Sequence, residues 1–122
     1  MTEKSGPSLP TTVEKREYLY GKGASKDALI KLGDRYQEAG RLEDAALFFH
    51  RAEDTGRLEK LSREAVASGD YFAYVHVARL MASPPKREDL QELAARAREA
   101  GLEVFARQAE EAAGEKDSGP EE

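Results

Sequence analysis

The sequence predicts an all-α protein: a short solenoid of three helical hairpins, with a flexible N-terminal arm and an acidic C-terminal tail. Three observations predict it. A skeleton of Leu-x-x-Leu, a small residue and a later glycine runs through Leu29, Leu32, Gly33, Tyr36 and Gly40. It returns at Leu58, Leu61, Ser62, Ala65 and Gly69, and again at Leu90, Leu93, Ala94, Ala97 and Gly101. Each copy sets its apolar residues at i, i+3 and i+7, one face of a helix, and ends on the residue best suited to the left-handed helix stop. The composition, 39% hydrophobic and 35% charged, is too wet for a compact globule. It suits an array whose hairpins touch only their neighbours.

Residues 1–25 read as the arm. Pro7 and Pro10 block helix early in it. A short helix is expected over 11–20, capped by Thr11 or Thr12, with Glu14 or Glu17 in its first turns. The Tyr18-Leu19-Tyr20 patch either covers the end of the first hairpin or docks a partner or a second copy of the chain. Gly21-Lys22-Gly23 is a linker and not a phosphate loop, because Gly23 follows Lys22 where Ser or Thr is needed and no strand precedes it.

The hairpin array occupies 26–113. Ser25 or Asp27 caps its first helix, which runs to about Ala39. The return helix spans Asp44 to Ala52, with Ala45, Phe48, Phe49 and Ala52 facing inward. At Gly33 the missing side chain lets the partner helix approach closely. The second hairpin pairs roughly 57–68 with 70–82, and Tyr71 to Met81 is apolar nearly all round, as expected of a helix covered on both sides. Ser83-Pro84-Pro85-Lys86 ends it. The third hairpin pairs about 88–100 with 102–113, and its polar last helix suits a terminal cap. Residues 114–122 are expected to be a disordered acidic tail.

The order Leu32-Gly33, Tyr36, Gly40, Ala45, Phe49, Ala52 resembles the tetratricopeptide repeat over Lys26 to about Glu59. Leu29 stands where that family often has Trp, and Arg57 where it often has Pro. The copies are spaced 29 and 32 residues apart at Leu29, Leu58 and Leu90, short of the family's period. The resemblance is therefore to a divergent member. It implies a right-handed α-α superhelix whose first helices line a concave, peptide-binding groove.

The residues the resemblance puts in that groove are Ile30, Asp34 and Gln37 from the first hairpin and Glu59, Arg63 and Val66 from the second. Gln91, Ala95 and Arg98 come from the third. Members that grip a C-terminal carboxylate use Lys and Asn on these helices; here Ile30 and Asp34 hold the matching positions, and Asp34 repels an anion. The groove runs instead from acidic near Asp27, Asp34 and Glu38 to basic near Arg63, Arg96 and Arg98, a gradient that can orient a bound segment.

A net charge of -5 argues against general nucleic-acid binding, which needs a basic face, and against docking on anionic membranes. No cysteine is present, which excludes disulfides and thiolate metal sites. No apolar run approaches the ~20 residues that span a bilayer, the first residues lack the apolar core of a secretory signal, and a cytoplasmic location is expected. Catalysis is not expected. His50 and His76 are the only histidines, and neither sits among matched ligands. The carboxylate pairs Glu43-Asp44, Glu53-Asp54, Glu88-Asp89 and Glu110-Glu111 are adjacent on or near helices, so their members diverge by about 100°. The expected function is a cofactor-free adaptor or assembly factor that holds another protein. The alternatives are a subunit locked into a larger complex through Tyr18, Leu19, Tyr20, Tyr71 and Tyr74, or a regulator of a nucleotide-switch protein.

Overall fold

The structure, a computed structural model, describes residues 9–21 and 23–118. Among them the regular structure is entirely helical, in seven helices packed as neighbouring pairs. The described residues fall into two compact units, one ending at Asp54 and the other beginning at Thr55. Residues 1–8 of the expected arm, Lys22 of the linker and residues 119–122 of the expected tail lie outside the described residues.

The first unit contains α1 (Thr12–Tyr20), α2 (Lys26–Glu38) and α3 (Leu42–Arg51). Thr11 opens α1 with a capping box: its hydroxyl accepts from the Glu14 N–H at 3.1 Å, and the Glu14 carboxylate accepts from the Thr11 N–H at 3.0 Å. Ser25 caps α2 in the same sense, accepting from the Ala28 N–H at 3.1 Å. The α2–α3 hairpin closes on aromatic rings. Tyr36 stacks on Phe48 with centroids 5.2 Å apart, and the Arg41 guanidinium lies 5.2 Å from the Tyr36 centroid. Phe49 lies so close to Gly33 that a Cβ there would sit 2.4 Å from the ring. Burying rings such as Phe48 and Phe49 contributes about 1.5–3 kcal/mol each. Helix α1, whose Leu19 is buried, packs against α3 and joins it by an ion pair, Lys15 Nζ to Asp44 Oδ1 at 2.6 Å; Arg41 reaches the other oxygen of Asp44 at 2.7 Å.

The second unit contains α4 (Thr55–Ser68), α5 (Tyr71–Leu80), α6 (Arg87–Glu99) and α7 (Glu103–Ser118). Its α4–α5 and α6–α7 hairpins lie side by side in the same direction. The C-terminal ends of α4 and α6 meet, since a Cβ on Gly69 would fall 2.5 Å from the Ala97 Cα. The N-terminal ends of α5 and α7 meet where Phe72 and Phe105 touch edge to face, 5.2 Å between centroids. The repeated skeleton forms the core: Leu58, Leu61 and Ala65 of α4 and Leu90, Leu93 and Ala97 of α6 are all buried. Arg98 ties α6 to α7 with a two-pronged bond to Glu110, one prong 3.1 Å long.

Two expectations are corrected. Helix α7 does not stop at Ala113 but runs on to Ser118, through Gly114, so the described part of the expected tail is helical. Gly114 has no left-handed backbone and nothing near its Cα side; it is a missing side chain and not a turn. Helix α5 packs against α4 and α7, yet its cover is incomplete, because Phe72 is 52% exposed and Arg79 is exposed.

The Gly33–Phe49 approach is directly testable. Gly33→Ala is expected to destabilise the protein by about 1–3 kcal/mol in urea denaturation, because the ring is wedged by buried neighbours and cannot retreat. A change below half a unit of that scale would show that α2 and α3 part without cost.

Candidate functional site

The second unit holds a cleft of about 480 Å³ where α4 begins, α5 ends and α6 begins. Its apolar lining comes from Ala78 of α5, Met81 just past the end of that helix and Pro84 of the turn. Glu59 and Arg63 rise from α4, one turn apart on the same face, and Lys86 and Asp89 enter from the opening of α6. Glu59, Arg63 and Lys86 are exposed, and their side chains form no ion pair among the described residues.

Tyr74 fixes this geometry. Its hydroxyl donates to Asp89 Oδ2 at 3.0 Å and accepts from the Lys86 N–H at 3.0 Å. Lys86 is the N-cap of α6 but supplies no side-chain cap, so the tyrosine satisfies a donor at the helix opening from a different helix. The Tyr74 phenol is pushed up to about 12, chiefly by burial; the Lys86 N–H opposes this, and the Asp89 carboxylate adds to it. The turn between the two helices is backed by Ala82, whose φ of 54° is unusual for a residue with a side chain, and by the Ser83 N–H bonded to the Ala78 carbonyl at 3.0 Å.

The residues expected in a groove divide. Glu59 and Arg63 line the cleft together. Val66 does not belong to any open surface: at 7% exposure it is part of the core of the second unit. From α6 the cleft takes Asp89 and not Gln91 or Arg98. Gln91 lies two residues on and Arg98 nine, each about half a turn around from Asp89. Arg98 faces α7, where Glu110 and Glu103 engage it. Ala95 is exposed on the same helix. Ile30, Asp34 and Gln37 are half-buried on α2 in the first unit. Of the alternative contact residues, Leu19 and Tyr74 are buried inside their own units, Tyr71 is half-buried, and Tyr18 and Tyr20 are exposed.

Sequence reasoning did not find Tyr74, Met81, Lys86 or Asp89 as cleft residues. The available signal was the Pro84-Pro85 turn between two helices, which brings the end of α5 and the start of α6 together. His50 is exposed in the last turn of α3. His76 is half-buried on α5 with its Nε2 covered and without a hydrogen-bond partner among the described residues, as is Gln108 Oε1 on α7. Among the described residues no group of three or more His, Asp or Glu is placed to hold a metal ion, and no helix is long and apolar enough to cross a membrane.

No family model matches this chain, and no curated protein or solved structure matches it significantly.

Tyr74→Phe is expected to lower stability by about 1–3 kcal/mol, because it leaves the Lys86 N–H and Asp89 without their shared partner. The pH dependence follows from a folded-state pKa near 12 against an unfolded value of about 10. The native state holds the phenolic proton more tightly, so this contribution is complete below pH ~10 and is lost as pH rises through ~12. The stability gap between wild type and Tyr74→Phe should stay constant from pH 7 to 9 and narrow above 10. A gap that widens there would assign the phenol to a different environment.

Proposed function

We propose that this chain is a non-enzymatic interaction module: an adaptor or assembly factor made of divergent tetratricopeptide-like hairpins that binds a partner protein. Its three hairpins are read as copies of one repeat, and its setting as the cytoplasm, which suits a cysteine-free chain that is 35% charged. The observation that carries the reading is the cleft of the second unit. There the apolar residues Ala78, Met81 and Pro84 line the cleft beside charged side chains, Glu59, Arg63 and Lys86, that the fold leaves unpaired. Apolar surface and unpaired charge together are the ingredients of a recognition surface: burial supplies affinity and the charges supply selectivity. A net charge of -5 favours a protein partner over a nucleic acid.

The repeat reading is supported by the second unit, where two hairpins with the same Leu-x-x-Leu skeleton stack in the same direction and turn at Gly69 and Gly101, both left-handed. The first unit's hairpin shares the skeleton, with Gly40 in the same conformation.

Site-specific photo-crosslinking in native extract tests this function. A crosslinker at Glu59 should capture a discrete second polypeptide, and one at Gln91 should not. Capture from Gln91 or from Tyr20 with none from Glu59 would move the contact surface away from the cleft.

A further inference from the structure

We propose that the end of α5 receives an acidic and aliphatic segment of the partner, gripped through its carboxylate side chains. This deepens the reading of the chain as an interaction module and rests on it. Beside the 480 Å³ cleft lies a second cavity of about 320 Å³, and the two share Ala78, Ser83 and Pro84 as their common wall. Val75, Ala82 and Pro85 make the second cavity mostly apolar, and Arg79 is its one charged lining residue. A segment lying over the Pro84 ridge can therefore place side chains on both sides of it.

The charges around the ridge decide what that segment carries. Three cations line the pair of cavities: Arg63, Lys86 and Arg79. All three are exposed, and none forms an ion pair among the described residues. Two carboxylates face them. Asp89 is already satisfied by the Tyr74 hydroxyl and sits in the first turn of α6, where the helix dipole favours a negative charge. The three cations therefore exceed the two carboxylates, Glu59 and Asp89, by one charge. A chain whose net charge is -5 thus carries a small excess of positive charge at this place.

Arginine adds geometry to charge. Its planar fork takes a carboxylate through two parallel bonds, and its weaker hydration makes it easier to desolvate than lysine. Arg63 and Arg79 rise from different helices, so two carboxylates separated along an extended segment fit better than one at a chain end. The surface is also set in advance. Pro84 and Pro85, the left-handed Ala82 and the Tyr74 bonds hold the turn, which limits the ordering cost of binding.

The test uses the full chain and labelled peptides, acetylated and amidated so that only side chains carry charge. One frame alternates Leu with Glu; in two controls Ser or Lys replaces Glu. Fluorescence anisotropy at low salt should show the Glu peptide binding at least about tenfold more tightly than either control, with affinity falling as salt rises. Arg63→Glu and Arg79→Glu, both exposed and folded by circular dichroism, should each weaken it by about tenfold. Glu59→Gln should tighten it about two- to fivefold, because it removes the opposing charge.

Equal or tighter binding of the Lys peptide, or Glu-peptide affinity indifferent to Arg63 and Arg79, overturns the proposal. If that happens while a crosslinker at Glu59 still captures a partner, the ligand chemistry is wrong and the interaction module stands. If the crosslinker also captures nothing, both fail. Tighter binding of a single-stranded oligonucleotide than of the Glu peptide, lost in Arg63→Glu, would replace the acidic segment with a phosphate backbone and so overturn it too.

Discussion

The architecture depends on one backbone device, the left-handed residue that closes a helix and turns the chain back. It occurs at Gly40, Glu53, Gly69, Ala82 and Gly101, with φ between 54° and 80°. After each, the next N–H reaches the carbonyl five residues back: Arg41 to Tyr36, Asp54 to Phe49, Asp70 to Ala65, Ser83 to Ala78 and Leu102 to Ala97. That bond satisfies a carbonyl the helix would otherwise leave exposed, and it fixes the direction in which the chain leaves. Helix pairing within the hairpins then follows with little freedom. The aromatic stack of Tyr36 on Phe48 and the contact of Gly69 with Ala97 are places where a direction already set is filled by packing.

Close approach is the second constraint, and it acts through absent side chains. Gly33 admits the Phe49 ring, and Gly69 admits the backbone of Ala97. At Gly69 one residue does both jobs, reversing the chain and allowing the neighbouring hairpin to come into contact. Side-chain pairs then lock what the backbone permits. Lys15 with Asp44 and Arg98 with Glu110 each join two helices of one unit; being partly exposed, they contribute modestly and serve mainly to set register.

This division explains what the sequence made legible. The three glycine stops and the ten leucine, alanine and tyrosine positions of the skeleton carry their roles in residue type and spacing, and the burial of those ten follows. The stops at Glu53 and Ala82 carry no such mark, because side-chain residues occupy a conformation that glycine normally signals. The helix end expected at Ala113 was misplaced as well, since α7 continues through Gly114. The site was less legible than the fold. Glu59 and Arg63 could be chosen from their positions on α4, but Val66 could not be distinguished from them by spacing alone, and its burial depends on the neighbouring helices. Arg98 looked available until Glu110, twelve residues on, came into reach. Tyr74 was hidden most completely, since in an apolar helix its ring reads as core and only its hydroxyl acts at the cleft.

The turn beside the cleft also holds one of the two left-handed residues with a side chain among the described residues. Ala82 adopts a left-handed φ that costs an L-residue about 1–2 kcal/mol, and it does so directly before Ser83, Pro84 and Pro85. Such a conformation persists only where the surroundings over-determine it. Here they do: the Ser83–Ala78 bond holds one side of the turn, and Tyr74 holds the other through Lys86 and Asp89. A looser turn would let Met81, Lys86 and Pro84 drift, and the cleft would have to be ordered by whatever entered it. The fold instead bears the ordering cost before any ligand arrives. Glu53 adopts the same conformation, with the same bond from Asp54 back to Phe49, without lining the cleft. The left-handed stop therefore serves the chain reversal first, and the set shape of the cleft follows from it.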